Sequence, residues 1–386
     1  MSSAWNFIYI FGISIALFLF LLILSKRQKS AADKILTVWF FFAFFDLILI
    51  GLYGSGQIQK MPKLFGWELP FPYMHGPFLY LYIVFVSGQQ RYTWRYLIHF
   101  IPAIAVAFAL ALSLPTAVVE HNGLYHLAVE YDLLFTLMET GFVLSGLIYI
   151  TLSLFLLYRH KRNIVRQFSN TEKINLDWMR YLIWGMGAIW LAIIFARIPA
   201  VMFPVITLFI FFIGYFGIRQ VGVFTNAPIS HEVLLPDTIN RYTDWGETQN
   251  SAIKVEKIKY EKTRIEDPEL NRIHAELRIL MENQKCFNDP DLTLGDLAKL
   301  LAIPPSSLSQ VINSKEGKNF YDYINSFRVE TFKQLVLKPE NRQYNMVSLA
   351  FECGFSSKTS FYRNFKKVTD MSPRDFLKLH KIIADG

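Results

Sequence analysis

The chain has 386 residues, 53% of them hydrophobic and 18% charged, with a formal net charge of +8; so apolar a composition puts a membrane class ahead of an ordinary soluble domain. Residues 1–263 hold 21 Lys and Arg against 15 Asp and Glu, and residues 264–386 hold 18 against 16, so overall basicity is no argument for nucleic-acid binding and only local clustering can decide. The two cysteines, Cys286 and Cys353, stand outside any C-x-x-C spacing, which excludes a disulfide framework or a zinc ribbon.

Nearly charge-free apolar runs recur at 5–24, 35–54, 72–88, 96–115, 132–158, 181–198 and 200–218. Each is close to the ~20 residues a helix needs to cross a bilayer, which predicts seven transmembrane helices; because only the Pro199 region separates the last two runs, six spans with one re-entrant segment is the open alternative. The first run has no basic residue before it and Lys26, Arg27 and Lys29 after it, the reverse of a signal peptide, so it reads as a retained span. One set of flanks carries thirteen Lys and Arg, from Lys26 to Arg219, among them Arg91, Arg95, Arg159, Lys173 and Arg180. The other carries only Lys60, Lys63 and Arg197. This bias predicts a multi-pass protein of the bacterial cytoplasmic (inner) membrane, with its N-terminus outside and everything after Arg219 in the cytoplasm.

Ionisable residues inside apolar spans are functional candidates. Asp46, His75, Glu139 and Arg197 all fall in the outer half of the predicted bundle, where they suggest one outward-facing, ligand-sensing pocket with Glu139 and Arg197 as its ion pair; pairing that merely holds helices together is the open alternative. His121 and His126, in the loop 118–126, are too few to make a metal site. No H-E-x-x-H or G-x-S-x-G motif occurs and the run 200–218 contains no Lys. The reading is therefore not an enzyme, with no catalytic residue, no metal and no cofactor.

A polar linker follows at 220–263, with Pro228 and Pro236 early and "SAIKVEKIKYEK" (251–262) later. The later stretch holds no single hydrophobic period, leaving helix and strand both open. As a flexible coil the linker would reach about 35–40 Å, enough to lift a small domain off the headgroups.

From 264 the pattern is amphipathic and helical. Thr293 is placed to cap "LGDLAKLL" (294–301), with Asp296 in the first turn. "AIPPSSLSQVIN" (302–313) then gives a turn and a second helix, with Leu308, Val311 and Ile312 inward and Ser306, Ser309, Gln310 and Asn313 outward as DNA-binding candidates. The arrangement repeats at "MVSLAFEC" (346–353), where Gly354 makes the turn, Phe355 fills the corner and Ser357 caps the next helix. On that helix Phe361 and Phe365 share a face. Lys358, Thr359, Tyr362, Arg363 and Lys366 then become the candidates for bases and phosphates of double-stranded DNA.

The stretch "VSLAFECGFSSKTSFYRNFKKVTDMSPRDFLK" (347–378) resembles the C-terminal signature of AraC/XylS-type transcription regulators. The resemblance rests on Gly354 and Phe355, then Phe361, Arg363, Phe365 and Lys366, then Ser372, Pro373 and Phe376, while "GKNFYDYINSFRVE" (317–330) is similar to the start of the family's long connecting helix. It implies a seven-helix domain with two helix-turn-helix units whose recognition helices enter successive major grooves. The chain departs from the family at Pro304, where Ser is usual before the first recognition helix, at Phe332, where a small residue is usual, and at Asp370, where glycine is common.

The combined expectation is an all-α protein: a transmembrane sensor-like domain at 1–219, the linker, and an AraC-type DNA-binding domain at 264–386. Its function is that of a membrane-tethered one-component transcription regulator answering a small-molecule or membrane stimulus. Its partners are DNA, the lipid bilayer, RNA polymerase and a second copy of the chain. The alternative is a transporter or membrane enzyme with an appended regulatory domain.

Overall fold

The computed structural model describes residues 3–61, 63–64, 66–87, 93–121, 124–172, 176–196, 199–219 and 267–380. The linker at 220–263, and with it Arg91, Lys173 and Arg197, lies outside the described residues. The described residues divide into two compact units, one from the stretches 3–158 and 176–219, the other from 159–172 and 267–380.

The first unit contains α1 (Ser3–Leu24), α2 (Ala31–Gly54), α3 (Pro72–Val86), α4 (Ile101–Ala117), most of α5 (Asp132–Gln167), α6 (Trp178–Ala196) and α7 (Pro199–Arg219). Within them, five helical segments are long and apolar enough to cross a membrane: Phe7–Leu24, Ala31–Gly54, Trp94–Ala117, Asp132–Gln167 and Trp178–Phe195. The apolar stretch Phe203–Phe216 is shorter, as is α3 with its 15 residues. The start of α2 shows why it begins where it does. Ser30 accepts a bond from the Asp33 amide at 3.1 Å, Asp33 accepts from the Ser30 amide at 2.8 Å, and Lys26 pairs with the Asp33 carboxylate at 2.7 Å, a capping box closed by a cation.

Leu36, Phe40, Leu47, Tyr82 and Phe203 are almost fully buried in this unit's core. The outward faces are equally apolar: Phe11, Phe18, Phe108, Leu112, Leu133 and Phe155 are each more than half exposed. In water such a surface would drive association. One element breaks the all-helical expectation. β1 (Val118–His121) and β2 (Leu124–Leu127) form an antiparallel hairpin with Val119 opposite His126. β-branched Val118 and Val119 favour the strand, and the Asn122-Gly123 pair between the arms is a strong hairpin signal in sequence.

The second unit holds α8 (Asp267–Gln284), α9 (Leu294–Leu300), α10 (Pro305–Glu316), α11 (Phe320–Leu337), α12 (Met346–Glu352), α13 (Lys358–Thr369) and α14 (Pro373–Leu379). Two apolar cores lie along α11. Its first half gives Phe320, Tyr323 and Ile324 to a core with Leu277, Leu297, Leu308 and Ile312. Its second half gives Val329, Phe332 and Val336 to a core with Leu349, Phe361, Phe365 and Phe376.

Arg328 sits between the two cores, 1% exposed, and uses all five of its N–H groups. Nε donates to the Phe287 carbonyl at 2.7 Å and Nη2 to the Asp289 carbonyl at 2.7 Å. Nη1 reaches Asn325 Oδ1 at 3.2 Å. The other two bonds go to Ser169, from Nη1 to its carbonyl at 3.3 Å and from Nη2 to its Oγ at 3.1 Å. Burial lowers the affinity of this guanidinium for its proton, a cost offset only while every donor is satisfied. Ser169 is bound further: Asn325 Nδ2 donates to its carbonyl at 3.0 Å, its Oγ donates to the Leu292 carbonyl at 2.7 Å, and Phe168 bridges to Thr293. Phe168 and Ser169, which directly follow α5, are thus part of the C-terminal unit's own polar core.

Candidate nucleic-acid interface

Two helix pairs flank α11. In the first, Thr293 caps α9 by accepting the Asp296 amide at 3.1 Å while its own hydroxyl donates to the Asp296 carboxylate at 2.6 Å. α10 starts without a side-chain cap, because Pro304 occupies the capping position; Pro305 at its first turn needs no N–H partner. Gly317, at φ +64°, ends the helix. Leu308, Val311 and Ile312 are fully buried. Ser306 and Asn313 are exposed and Ser309 and Gln310 half-buried, and Asn313 Nδ2 donates to the Ser309 carbonyl at 2.7 Å.

In the second pair α12 begins on Asn345, whose side chain accepts the Val347 amide at 2.9 Å. It closes through the Phe355 amide, which donates to the Ala350 carbonyl at 3.2 Å. Gly354 makes this turn at φ +91°, and a Cβ there would collide with the carbonyl oxygens of Phe287 and Asn288. Only glycine meets both demands, a left-handed backbone and close approach of another chain segment. Cys353, beside it, is fully buried, and burial pushes its thiol up to about 12, so it fills space and is unreactive near neutral pH.

α13 carries the strongest division of faces. Ser357 caps it by accepting the Ser360 amide at 3.0 Å. Phe361 and Phe365 are fully buried against Phe332, with ring centroids 4.6 and 5.7 Å away; the large residue at 332 thus fills the core that α13 closes. Lys358, Thr359, Arg363 and Lys366 are exposed on the other face. Tyr362 is half-buried, with the Lys358 ammonium 5.6 Å from its ring centre. Asp370 ends the helix at φ +58°. A left-handed residue at this point explains why glycine is common there, and aspartate is among the side chains that tolerate it.

Sequence reasoning missed the partners of Arg363 and Lys367. Tyr321, on α11, accepts bonds through its hydroxyl from Arg363 Nη2 at 2.8 Å and from the buried Asn364 at 2.7 Å. The guanidinium lies 5.9 Å from the Tyr321 ring centre, and Lys367 pairs with Asp322 at 2.6 Å. Arg363 is therefore held in place by α11, and a base contact would use its remaining donors or exchange that bond.

Of the ionisable residues singled out in the apolar half, Asp46, His75 and Glu139 line one cavity of the first unit, joined by Glu68. Arg197 lies outside the described residues. Glu68 sits between the apolar runs, where a search of the spans for charge does not look.

Residues 297–379 match the family model of a helix-turn-helix domain. An HTH-type transcriptional regulator of Staphylococcus aureus (strain COL) is 27% identical over 122 residues, 28% of this chain and 16% of that protein. The transcriptional regulatory protein HptR of Staphylococcus aureus (strain NCTC 8325 / PS 47) is 30% identical over 90 residues, 23% of this chain and 34% of that one. Among solved structures, the C-terminal domain of AraT, a response regulator from Geobacillus stearothermophilus, is 26% identical, covering 30% of this chain and 88% of its own, with a TM-score of 0.25. The chain thus spans about a sixth and a third of the length of these two curated relatives.

Proposed function

We propose, from the AraC-type helix-turn-helix domain at the C-terminus of this chain, that the protein is a membrane-tethered one-component transcription regulator. Residues 1–219 form a seven-span sensor domain in the cytoplasmic membrane, 220–263 a cytoplasmic linker, and 264–386 a DNA-binding domain with two helix-turn-helix units, α9–α10 and α12–α13. The observation that carries the reading is α13: a helix inside the matched region with two phenylalanines fully buried on one side and Lys358, Thr359, Arg363 and Lys366 exposed on the other. On the first unit, large apolar side chains cover the outer faces, which supports lipid as its surroundings. The bonds of Ser169 to Leu292, Asn325 and Arg328 support a common side for the 159–172 segment and the DNA-binding domain. They also give a stimulus felt by the spans a covalent route, through α5, to α11.

The roles follow from chemistry. Arg363 reads a guanine edge, Lys358 and Lys366 meet phosphates, and Thr359, Ser306, Ser309, Gln310 and Asn313 hydrogen-bond to bases or backbone. Selection of binding sequences from a random duplex pool by the full-length protein in lipid nanodiscs is expected to return a discrete site. Arg363→Ala is expected to weaken binding to that site by about 1–3 kcal/mol, roughly five- to 150-fold, and to relax preference at one base pair. Selection of no sequence, or an Arg363→Ala protein that binds the site as tightly as the original, would overturn the assignment.

A further inference from the structure

The cavity of the first unit encloses about 720 Å³, within the range that takes a drug-sized ligand. Its walls are mostly apolar and aromatic, with Trp39 and Trp190 among them, yet it gathers three carboxyl groups: Asp46, Glu68 and Glu139. No Lys or Arg is among its described lining residues.

One of these carboxyls is built into place. The indole N–H of Trp39 donates to His75 Nδ1 at 3.0 Å. An indole nitrogen can only donate, so Nδ1 carries no proton and His75 presents its N–H at Nε2, which lies 2.9 Å from Asp46 Oδ2. The imidazole in this arrangement brings no positive charge to Asp46. It orients the carboxyl and satisfies one oxygen. The side chain of Asp46 is only 4% exposed, and its second oxygen, Oδ1, has no hydrogen-bond partner among the described residues; nor has Glu68 Oε2. Both residues line the same apolar cavity, and two buried acceptors without donors are costly unless something arrives to donate to them.

We propose that this cavity binds an organic cation, an amine attached to an apolar or aromatic body, with the ammonium donating to Asp46 Oδ1 and Glu68 Oε2. This rests on the sensing role proposed above for the first unit and names the chemistry of its ligand. Glu139 adds a third carboxyl group, and Trp39 and Trp190 are among the aromatic residues that line the cavity where the body of the ligand would lie. An anionic ligand would meet three carboxyls and no described cation. A neutral apolar ligand would leave both unpartnered oxygens as they are. The positioning of Asp46 by the Trp39–His75 relay is what a site needs and what packing alone does not require.

The test uses the full-length protein in lipid nanodiscs, titrated calorimetrically with 4-phenylbutylamine, the neutral 4-phenylbutanol and the anionic 4-phenylbutyrate. The amine is expected to bind at least tenfold more tightly than the alcohol, and the carboxylate not at all. Asp46→Asn, which keeps an acceptor for His75, and Glu68→Gln are each expected to weaken the amine tenfold or more while leaving the alcohol within twofold, which also reports that the variants are folded. Equal binding of amine and alcohol, tighter binding of the carboxylate, or an amine affinity unchanged by both substitutions would overturn the proposal. DNA binding by the same preparation without ligand separates the two readings. If DNA is bound and the amine is not preferred, only the ligand assignment falls. If no DNA is bound, the regulator reading falls whatever the cavity holds.

Discussion

Phe361→Ala is expected to cost the C-terminal unit about 3–5 kcal/mol, the range for removing a fully buried aromatic ring. Phe361 is 0% exposed and its ring meets Phe332, Phe355, Tyr362 and Phe365 with centroids between 4.6 and 5.7 Å. Its loss leaves a cavity between α11, the Gly354 turn and α13, and removes the wedge that fixes the angle of α13. Hydrogen exchange on the full-length protein reads this directly, because amides of α12 and α13 exchange through opening of that core. Their exchange is expected to speed up by a hundredfold or more. Arg363→Ala on the opposite face should leave it nearly unchanged, losing one bond to Tyr321 at 2.8 Å. If both substitutions opened the domain equally, Arg363 would be a structural residue and not a DNA contact.

Arg328→Met is expected to cost about 3–5 kcal/mol by a different mechanism. The thioether approximates the volume of the side chain, so the loss is one of hydrogen bonds. The Phe287 and Asp289 carbonyls would lose the bonds that Arg328 makes at 2.7 Å, at roughly 1–3 kcal/mol for each buried group left unsatisfied. Ser169 would lose two of its bonds to the domain, retaining those to Leu292 and Asn325. The distinguishing result is where the loosening appears: in 168–172 and 286–292 together. Ser169→Ala, which removes only the hydroxyl shared by Arg328 and Leu292, should loosen the same two segments by a smaller amount. Unchanged exchange at 168–172 in both variants would mean that the segment is not anchored by α11 and that α5 has no route to the domain.

The features legible in the sequence are those whose physics is local. Thr293 and Ser357 are legible as caps because the cap and the amide it accepts are three residues apart. The pairing of Phe361 with Phe365 follows from four-residue spacing, and Gly354 from the turn it must make. Apolar runs mark the helices of the first unit, and rare charges within them mark Asp46, His75 and Glu139, which the structure brings to one cavity with Glu68. What the sequence hides is long-range pairing of polar groups. Nothing in residues 160–175 announces that Ser169 will satisfy an arginine 159 positions later. Nor does the spacing around Arg363 point to Tyr321, 42 positions earlier. The hairpin at 118–127 also has a local sequence signal, the Asn122-Gly123 pair, although the same stretch draws attention first to its histidines, His121 and His126.

In the proposed function one chain holds a domain in the membrane and a helix-turn-helix domain on the chromosome. Crosslinking the intact protein to DNA in living cells, isolating the membrane fraction and sequencing the DNA recovered with the protein tests it most directly. Discrete chromosomal sites that share a sequence are expected, and they are expected to be lost when Arg363 and Lys366 are both changed to Ala. Recovery of no enriched site with the wild-type chain, or of the same sites with the doubly substituted one, would contradict the proposed function.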